Sequence, residues 1–187
     1  LVIVNDGSTD NTKRILRSLL KNNSVLKGTT SIVFHHDTNK GKGAAIIRGV
    51  KEATGEIVVI QDADFEYDPN DIPKLVQPII EGRADVVYGS RFKRTGFQVH
   101  RTYHYLINRF LTLVSNLLSG LYLSDMETCY KIFRADIIQN MNLRSNRFGI
   151  EIELTAYLAK IRARVYELPI SYYPRTRLQG KKINWKD

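Results

Sequence analysis

Cysteine is almost absent: the 187 residues contain one, Cys129, which excludes an intramolecular disulfide framework and any zinc site built on cysteine. Such usage suits a reducing compartment. Long apolar runs are missing as well. The most apolar stretch, Phe110 to Ser124, is uncharged but carries Thr112, Ser115, Asn116, Ser119 and Gly120. It is also shorter than the ~20 residues that span a bilayer, and no secretory leader is legible. No repeat or low-complexity tract is found. The four histidines, His35, His36, His100 and His104, show no convincing metal-ligand pattern. Acids are the scarcer charge, 19 against 28 Lys and Arg, for a net charge of +9.

That excess asks for an anionic partner, and nucleic acid, phosphorylated metabolites and anionic membranes all qualify. The distribution chooses among them. Acids concentrate in Asp62, Asp64, Glu66, Asp68 and Asp71, while bases crowd Arg175, Arg177, Lys181, Lys182 and Lys186. An acidic cluster inside a basic protein points to a metal–phosphate site, and on that ground nucleic acid is set aside. The 43% apolar and 25% charged content is that of a globular protein. The length fits one domain with a substantial core. The chain starts directly in the apolar run Leu1–Val4 and stops at Asp187 without an ending signal. The expectation is one domain over residues 1–187, truncated at both ends.

Short apolar runs alternate with helical patterns. Leu1–Val4, Ser31–His35, Glu56–Gln61 and Asp85–Tyr88 read as strands covered on both faces. Ser8, Thr9 and Asp10 offer N-caps for a helix to about Leu20. Ala44–Thr54 reads as a helix stopped by Gly55, and Asp71 can cap a third over Ile72–Ile80. The order β-α-β-α-β-α-β predicts an α/β fold with a largely parallel sheet. Further on, Tyr103, Leu106, Ile107, Phe110, Val114, Leu117, Leu118 and Leu121 follow helical spacing. This stripe is expected to be core; the alternative is a helix lying in a membrane interface, with Arg101 and Arg109 towards headgroups. Cys129–Phe133 is a candidate strand, Glu151–Lys160 a helix, and Ala163–Leu168 extended.

Four stretches carry chemistry. Asn5-Asp6-Gly7-Ser8-Thr9-Asp10 joins a strand to a helix start, where α/β sheets bind ligands. Asp6 would stand free at the strand end to accept from a base or ribose; a capped turn explains the same residues. Asn39-Lys40-Gly41-Lys42-Gly43 precedes a helix, with glycines for close backbone approach and Lys42 to attract phosphate. Asp62-Ala63-Asp64 leaves a buried strand with two carboxylates two residues apart. They can converge on Mg2+ or Mn2+ shared with substrate phosphates, or form a solvated acidic loop. Gly89-Ser90-Arg91 ends the next strand.

Taken in order, these four stretches resemble family 2 glycosyltransferases of the GT-A nucleotide-sugar-binding fold. Asp125-Met126-Glu127-Thr128-Cys129-Tyr130-Lys131-Ile132-Phe133-Arg134 is similar to a segment of polyprenyl-phosphate sugar synthases of the dolichol-phosphate mannose and glucose type. The resemblance covers nearly the whole chain. It implies that Asp6, Gly7, Ser8, Lys42, Asp62, Arg91, Lys181 and Lys182 bind the donor, with Asp62 and Asp64 on the metal. It places Asp125 and Arg91 near the reaction centre, with Glu127 as the spare carboxylate. Lys131 and Arg134 would face the acceptor phosphate; a solvated strand face is the other reading of these two.

Two departures stand out. The family's usual first strand, with its Pro-x-Tyr/Phe-Asn-Glu-like step, is missing, and Met126-Glu127-Thr128-Cys129-Tyr130 replaces the commoner Ser-Gly-Phe wording. Residues 1–100 would form the donor-binding half and 101–187 the acceptor side. The implied reaction is inverting sugar transfer from a nucleotide-sugar to a polyprenyl phosphate, at the cytoplasmic face of a membrane. Transfer to a saccharide hydroxyl is the near alternative. A non-catalytic nucleotide- or polyanion-binding module is the alternative from another class.

Overall fold

Strand β1 (Val2–Asp6) lies parallel to β2 (Ile32–His36), in a register that pairs Val4 with Phe34 and Asp6 with His36. Residues 1–21, 28–93 and 102–175 are described by the computed structural model. Helix α1 (Thr12–Lys21) starts where Asp10 Oδ1 accepts from Thr12 N at 3.0 Å, the cap expected of this segment. Helix α2 (Lys42–Glu52) packs on β1, with Gly49 facing Val4. It ends at Ala53, before the glycine expected to stop it.

The remaining elements build a four-stranded sheet. Its strands are β3 (Ile57–Val59), β4 (Val86–Ser90), β5 (Lys131–Arg134) and β6 (Val165–Pro169), in the order β3-β5-β4-β6. β4 and β6 are parallel, as the strand–helix alternation predicts, whereas β5 runs antiparallel between β3 and β4. A short 3-10 turn, Pro69–Asp71, leads into α3 (Ile72–Ile80), whose bounds match those read from sequence. Asp71 precedes α3 but does not cap it through its side chain: the carboxylate instead takes Lys74 Nζ at 2.6 Å and Ser171 N at 2.5 Å. Helices α5 (Ala135–Gln139) and α6 (Gly149–Lys160) follow. Leu75, Val86, Val87, Tyr88, Ile132, Phe133, Leu154 and Leu158 are buried together in this sheet's core.

Helix α4 (Thr102–Ser119) overturns one expectation. Its apolar stripe is not core: Tyr103, Leu106, Phe110, Leu117 and Leu118 are exposed, the last at 85%. The packed side is the polar one. Asn108, Ser115, Asn116 and Ser119 are half-buried and Thr112 is buried. That spacing is itself helical, so α4 is amphipathic with its apolar face outward. The polar face is held by specific bonds: Asn116 takes both the N–H and the carbonyl of Leu123, and Thr112 Oγ1 accepts from Met126 N.

The chain divides into two compact units, Leu1–Gly55 with Asn142–Ile150, and Glu56–Met141 with Glu151–Asp187. The second half of the sequence therefore contributes a segment to the first unit.

Candidate active site

In the first unit the turn after β1 is built around two side chains. Buried Asn5 accepts Ser8 N on Oδ1 at 3.1 Å, and Gly7 N returns to Asn5 O. Gly7 has φ +70°, and a Cβ there would stand 2.4 Å from Asn39 N, so only glycine fits. Ser8 is exposed and Lys42 opens α2 half-buried. Asp6 corrects the sequence reading, because its carboxylate is not free. Oδ1 takes His36 Nδ1 at 2.6 Å and Lys40 N at 2.9 Å, and Oδ2 takes Gly41 N at 2.7 Å. Burial opposes its ionisation, but His36 and the two amides outweigh it and hold its carboxyl below the ordinary range.

The glycines of the 39–43 stretch also serve the chain itself. A Cβ at Gly43 would lie 1.9 Å from Ser145 O, and Ala44 N donates to Asn146 O at 3.0 Å. The close approach expected for a phosphate is here made by the 145–146 backbone.

In the second unit Asp62 and Asp64 are half-buried at the C-terminal end of β3, alternating with exposed Ala63 and Phe65. Burial, with the Glu66 and Asp62 carboxylates nearby, pushes the Asp64 carboxyl upward. Crowded carboxylates of this kind favour a cation between them. Hard oxygen ligands suit Mg2+ or Mn2+, which keep further positions for phosphate. Among the described residues no three acidic, His or Cys side chains form a ready-made cage. The acids present fit a cation completed by its substrate. Glu66 is buried, with Oε2 accepting from the Tyr172 hydroxyl at 2.6 Å and Oε1 from Arg175 Nε at 3.3 Å. Arg175 Nη2 also reaches Asp64 Oδ2 at 3.0 Å.

Arg91 and Asp125 form a buried fork. Arg91 Nε donates to Oδ2 and Nη2 to Oδ1, both at 2.7 Å, and Arg91 N adds a third bond to Oδ2 at 2.9 Å. Burial works against the guanidinium charge, but Asp125 more than restores it. The Arg91 guanidinium also lies 5.3 Å from the Tyr172 ring centroid. Glu167 of β6 fixes the turn that carries Asp125, accepting Ser124 N and Asp125 N at 2.9 and 3.0 Å, with Lys93 Nζ on its other oxygen at 3.0 Å. Asp125 has no exposed surface, so it holds Arg91 and does not reach out to a substrate. Glu127 is half-buried, and burial raises its carboxyl above the ordinary range.

Lys131 and Arg134 are placed otherwise than the resemblance implies, although Arg134, exposed at the end of β5, fits the alternative of a solvated strand face. Lys131 is fully buried, neither solvated nor open to a phosphate. Its ammonium donates to Met126 O at 2.9 Å and Thr128 O at 2.5 Å, pairs with Glu151, and lies over the Tyr88 ring. Arg134 lies at the opposite end of the sheet from Arg91. It pairs with Asp136 and Asp85 beside the start of β4, since the antiparallel register carries β5 away from the Asp125 turn. Arg164 and Arg134 hold Asp85 down to about 2, Arg164 foremost. Lys181 and Lys182 lie outside the described residues, as do Arg177, Lys186, His100 and Arg101.

Sequence reasoning counted Glu66 only as one member of an acidic run, and it passed over Tyr172 and Glu167. The alternation in Val165-Tyr166-Glu167-Leu168 puts a carboxylate on a half-buried strand, which is the one local sign that Glu167 has a partner.

Comparison with known proteins follows the same lines. Residues 1–141 match the glycosyl transferase family 2 profile. UDP-N-acetylglucosamine–dolichyl-phosphate N-acetylglucosaminyltransferase of Methanococcus voltae is 32% identical over 183 residues, covering 91% of this chain and 73% of that protein. Dolichol-phosphate mannosyltransferase of Pyrococcus furiosus is 28% identical over 190 residues, covering 98% of this chain and 51% of that one. Glucosyl-3-phosphoglycerate synthase of Mycobacterium tuberculosis, in complex with Mn2+ and UDP-glucose, superposes with a TM-score of 0.65 at 19% identity. That match covers 94% of this chain and 61% of the mycobacterial one, so the chain spans about three-fifths of that structure. The likeness shows the GT-A fold, which is the fold the ordered motifs imply. With strand, acid pair and Arg91 standing in that order, the chain belongs to glycosyl transferase family 2.

Proposed function

We propose that this chain catalyses inverting transfer of a sugar from a nucleotide-sugar to a polyprenyl phosphate at the cytoplasmic face of a membrane. The observation that carries the acceptor is α4. Its outward face is apolar, while its polar face holds the 121–126 segment and Arg109 Nη1 bonds Ser124 O at 3.2 Å. A helix of that kind suits insertion into the headgroup–acyl boundary, and α4 is bonded to Ser124 and Met126, the residues on either side of Asp125. The dolichyl-phosphate specificity in the names of two relatives supports the same acceptor. No helix among the described residues is long and apolar enough to cross a membrane, so the reading is of a helix lying on the surface.

Asp62 and Asp64 would hold Mg2+ or Mn2+, which when bound neutralises charge on the departing diphosphate. The acceptor oxygen forms its bond to the anomeric carbon as the bond to the diphosphate oxygen breaks, and the electron pair leaves with the nucleoside diphosphate. Arg91, held by Asp125 with a tenth of its side chain exposed, would meet phosphate oxygens only through that exposed part. A phosphate acceptor is already anionic and asks for no strong base. Half-buried Glu127 favours the second reading, transfer to a saccharide hydroxyl, for which it would be the base.

The test uses the full-length protein with Mn2+ and labelled nucleotide-sugars, offering a short-chain polyprenyl phosphate in detergent or soluble saccharides. Labelled lipid-phosphate sugar is expected, and Asp64→Asn should nearly abolish it. Efficient transfer to saccharide hydroxyls alone would overturn the lipid acceptor.

A further inference from the structure

One positive group already occupies the oxygens through which Asp64 and Glu66 would meet a cation. Arg175 lies across both carboxylates, Nη2 on Asp64 Oδ2 and Nε on Glu66 Oε1. The segment that carries it is laid along the acidic turn. Tyr172 bridges Tyr67, Tyr173 N bonds Glu66 O at 2.8 Å, and Arg175 N reaches Glu66 Oε1 at 3.2 Å. The turn is shaped to match. Phe65 has φ +60°, unusual for a bulky side chain, and is 94% exposed. By turning outward it lets Asp64 and Glu66 share one guanidinium. Asp64 Oδ1 is taken as well, by Glu66 N at 3.1 Å.

A divalent cation binding Asp64 through Oδ2 competes with the Arg175 N–H for that oxygen. The released guanidinium would then stand beside a doubly charged ion, which is unfavourable by itself. A diphosphate arriving with the cation removes the conflict, because it offers the guanidinium new anionic oxygens. We propose that Arg175 is the exchangeable counter-ion of the Asp64–Glu66 pair, closing it to a bare divalent cation and admitting one that comes with a nucleoside diphosphate. Metal and nucleotide then assist each other's binding, and by linkage the assistance is mutual. The inference rests on the reading of Asp62 and Asp64 as the metal-holding acids.

The measurement is Mn2+ binding by calorimetry and by the EPR signal of free Mn2+, on the full-length protein, with and without UDP or GDP. Mn2+ alone should bind Arg175→Met more tightly than wild type by on the order of ten-fold. The nucleoside diphosphate should strengthen Mn2+ binding in wild type and do so far less in the variant. Arg175→Lys keeps the charge but cannot fork across two carboxylates, so an intermediate gain is expected, and it carries the test if the methionine variant does not fold. Equal Mn2+ affinity and equal diphosphate coupling in wild type and variants would overturn the proposal. So would a gain that persists when Asp64→Asn is added. Wild type that takes up no Mn2+ even with diphosphate would overturn the metal reading itself, and this proposal with it.

Discussion

Both oxygens of Asp125 face Arg91, and Glu167 holds the backbone beneath them. A carboxylate so placed orients its partner and has no proton to take. Removing its charge leaves a buried guanidinium uncompensated, which costs about 3–5 kcal/mol. Asp125→Asn is therefore expected to lower stability by that order and to reduce turnover, while the pH–rate profile keeps the shape of wild type. Chemical denaturation and a pH–rate series check both halves, and loss of the acidic limb alone with stability intact would make Asp125 the base. Where these residues stand along the elements was legible here, and what they touch was not. Arg91 and Asp125 are 34 positions apart, and nothing local announces a fork between them. Lys131 misled for a related reason: its neighbours in sequence look like an exposed strand, but its partner Glu151 comes from a helix 20 residues on. Asp6 stands at the end of β1 as its position requires, yet the loop after β2 reaches its carboxylate first.

Elements were more legible than contacts. α3 was bounded correctly because Pro73 and Asp71 mark its start and its apolar residues keep one face. The antiparallel direction of β5 had no such mark, since a short apolar run reads alike in either direction. In α4 the period was read correctly and the side was not. A stripe of Leu, Phe and Tyr at helical spacing faces a protein interior or a membrane with equal ease, and only Thr112, Asn116 and their partners decide which. This gives a direct prediction. Leu117→Gln with Leu118→Gln should change folding stability by within about 0.5 kcal/mol, as at any exposed site, and still reduce co-sedimentation with lipid vesicles and transfer to lipid-linked acceptor. Thermal unfolding and a vesicle pelleting assay measure the two effects. A loss of several kcal/mol would return the stripe to the core.

Across the whole molecule, the first unit is discontinuous in sequence: Leu1–Gly55 is completed by Asn142–Ile150. The glycines at 41 and 43 owe their identity to that return, since the 145–146 backbone lies where their side chains would be. Gly43→Ala should force the two segments apart at a cost of about 1–3 kcal/mol, the range for overpacking. Faster hydrogen exchange at the Ala44 amide would report it, and unchanged protection would refute it. The same closure has a bearing on synthesis. During translation α2 leaves the ribosome with its capping segment still roughly a hundred residues away, which at 5–20 residues per second is a wait of about 5–20 s. Through that interval the glycine-rich helix start has open amides, and the β1–β2 pair lacks the segment that completes its unit. The order of folding is thereby set against the order of synthesis: Leu1–Gly55 is made before Asn142–Ile150, so part of its native surroundings arrives late.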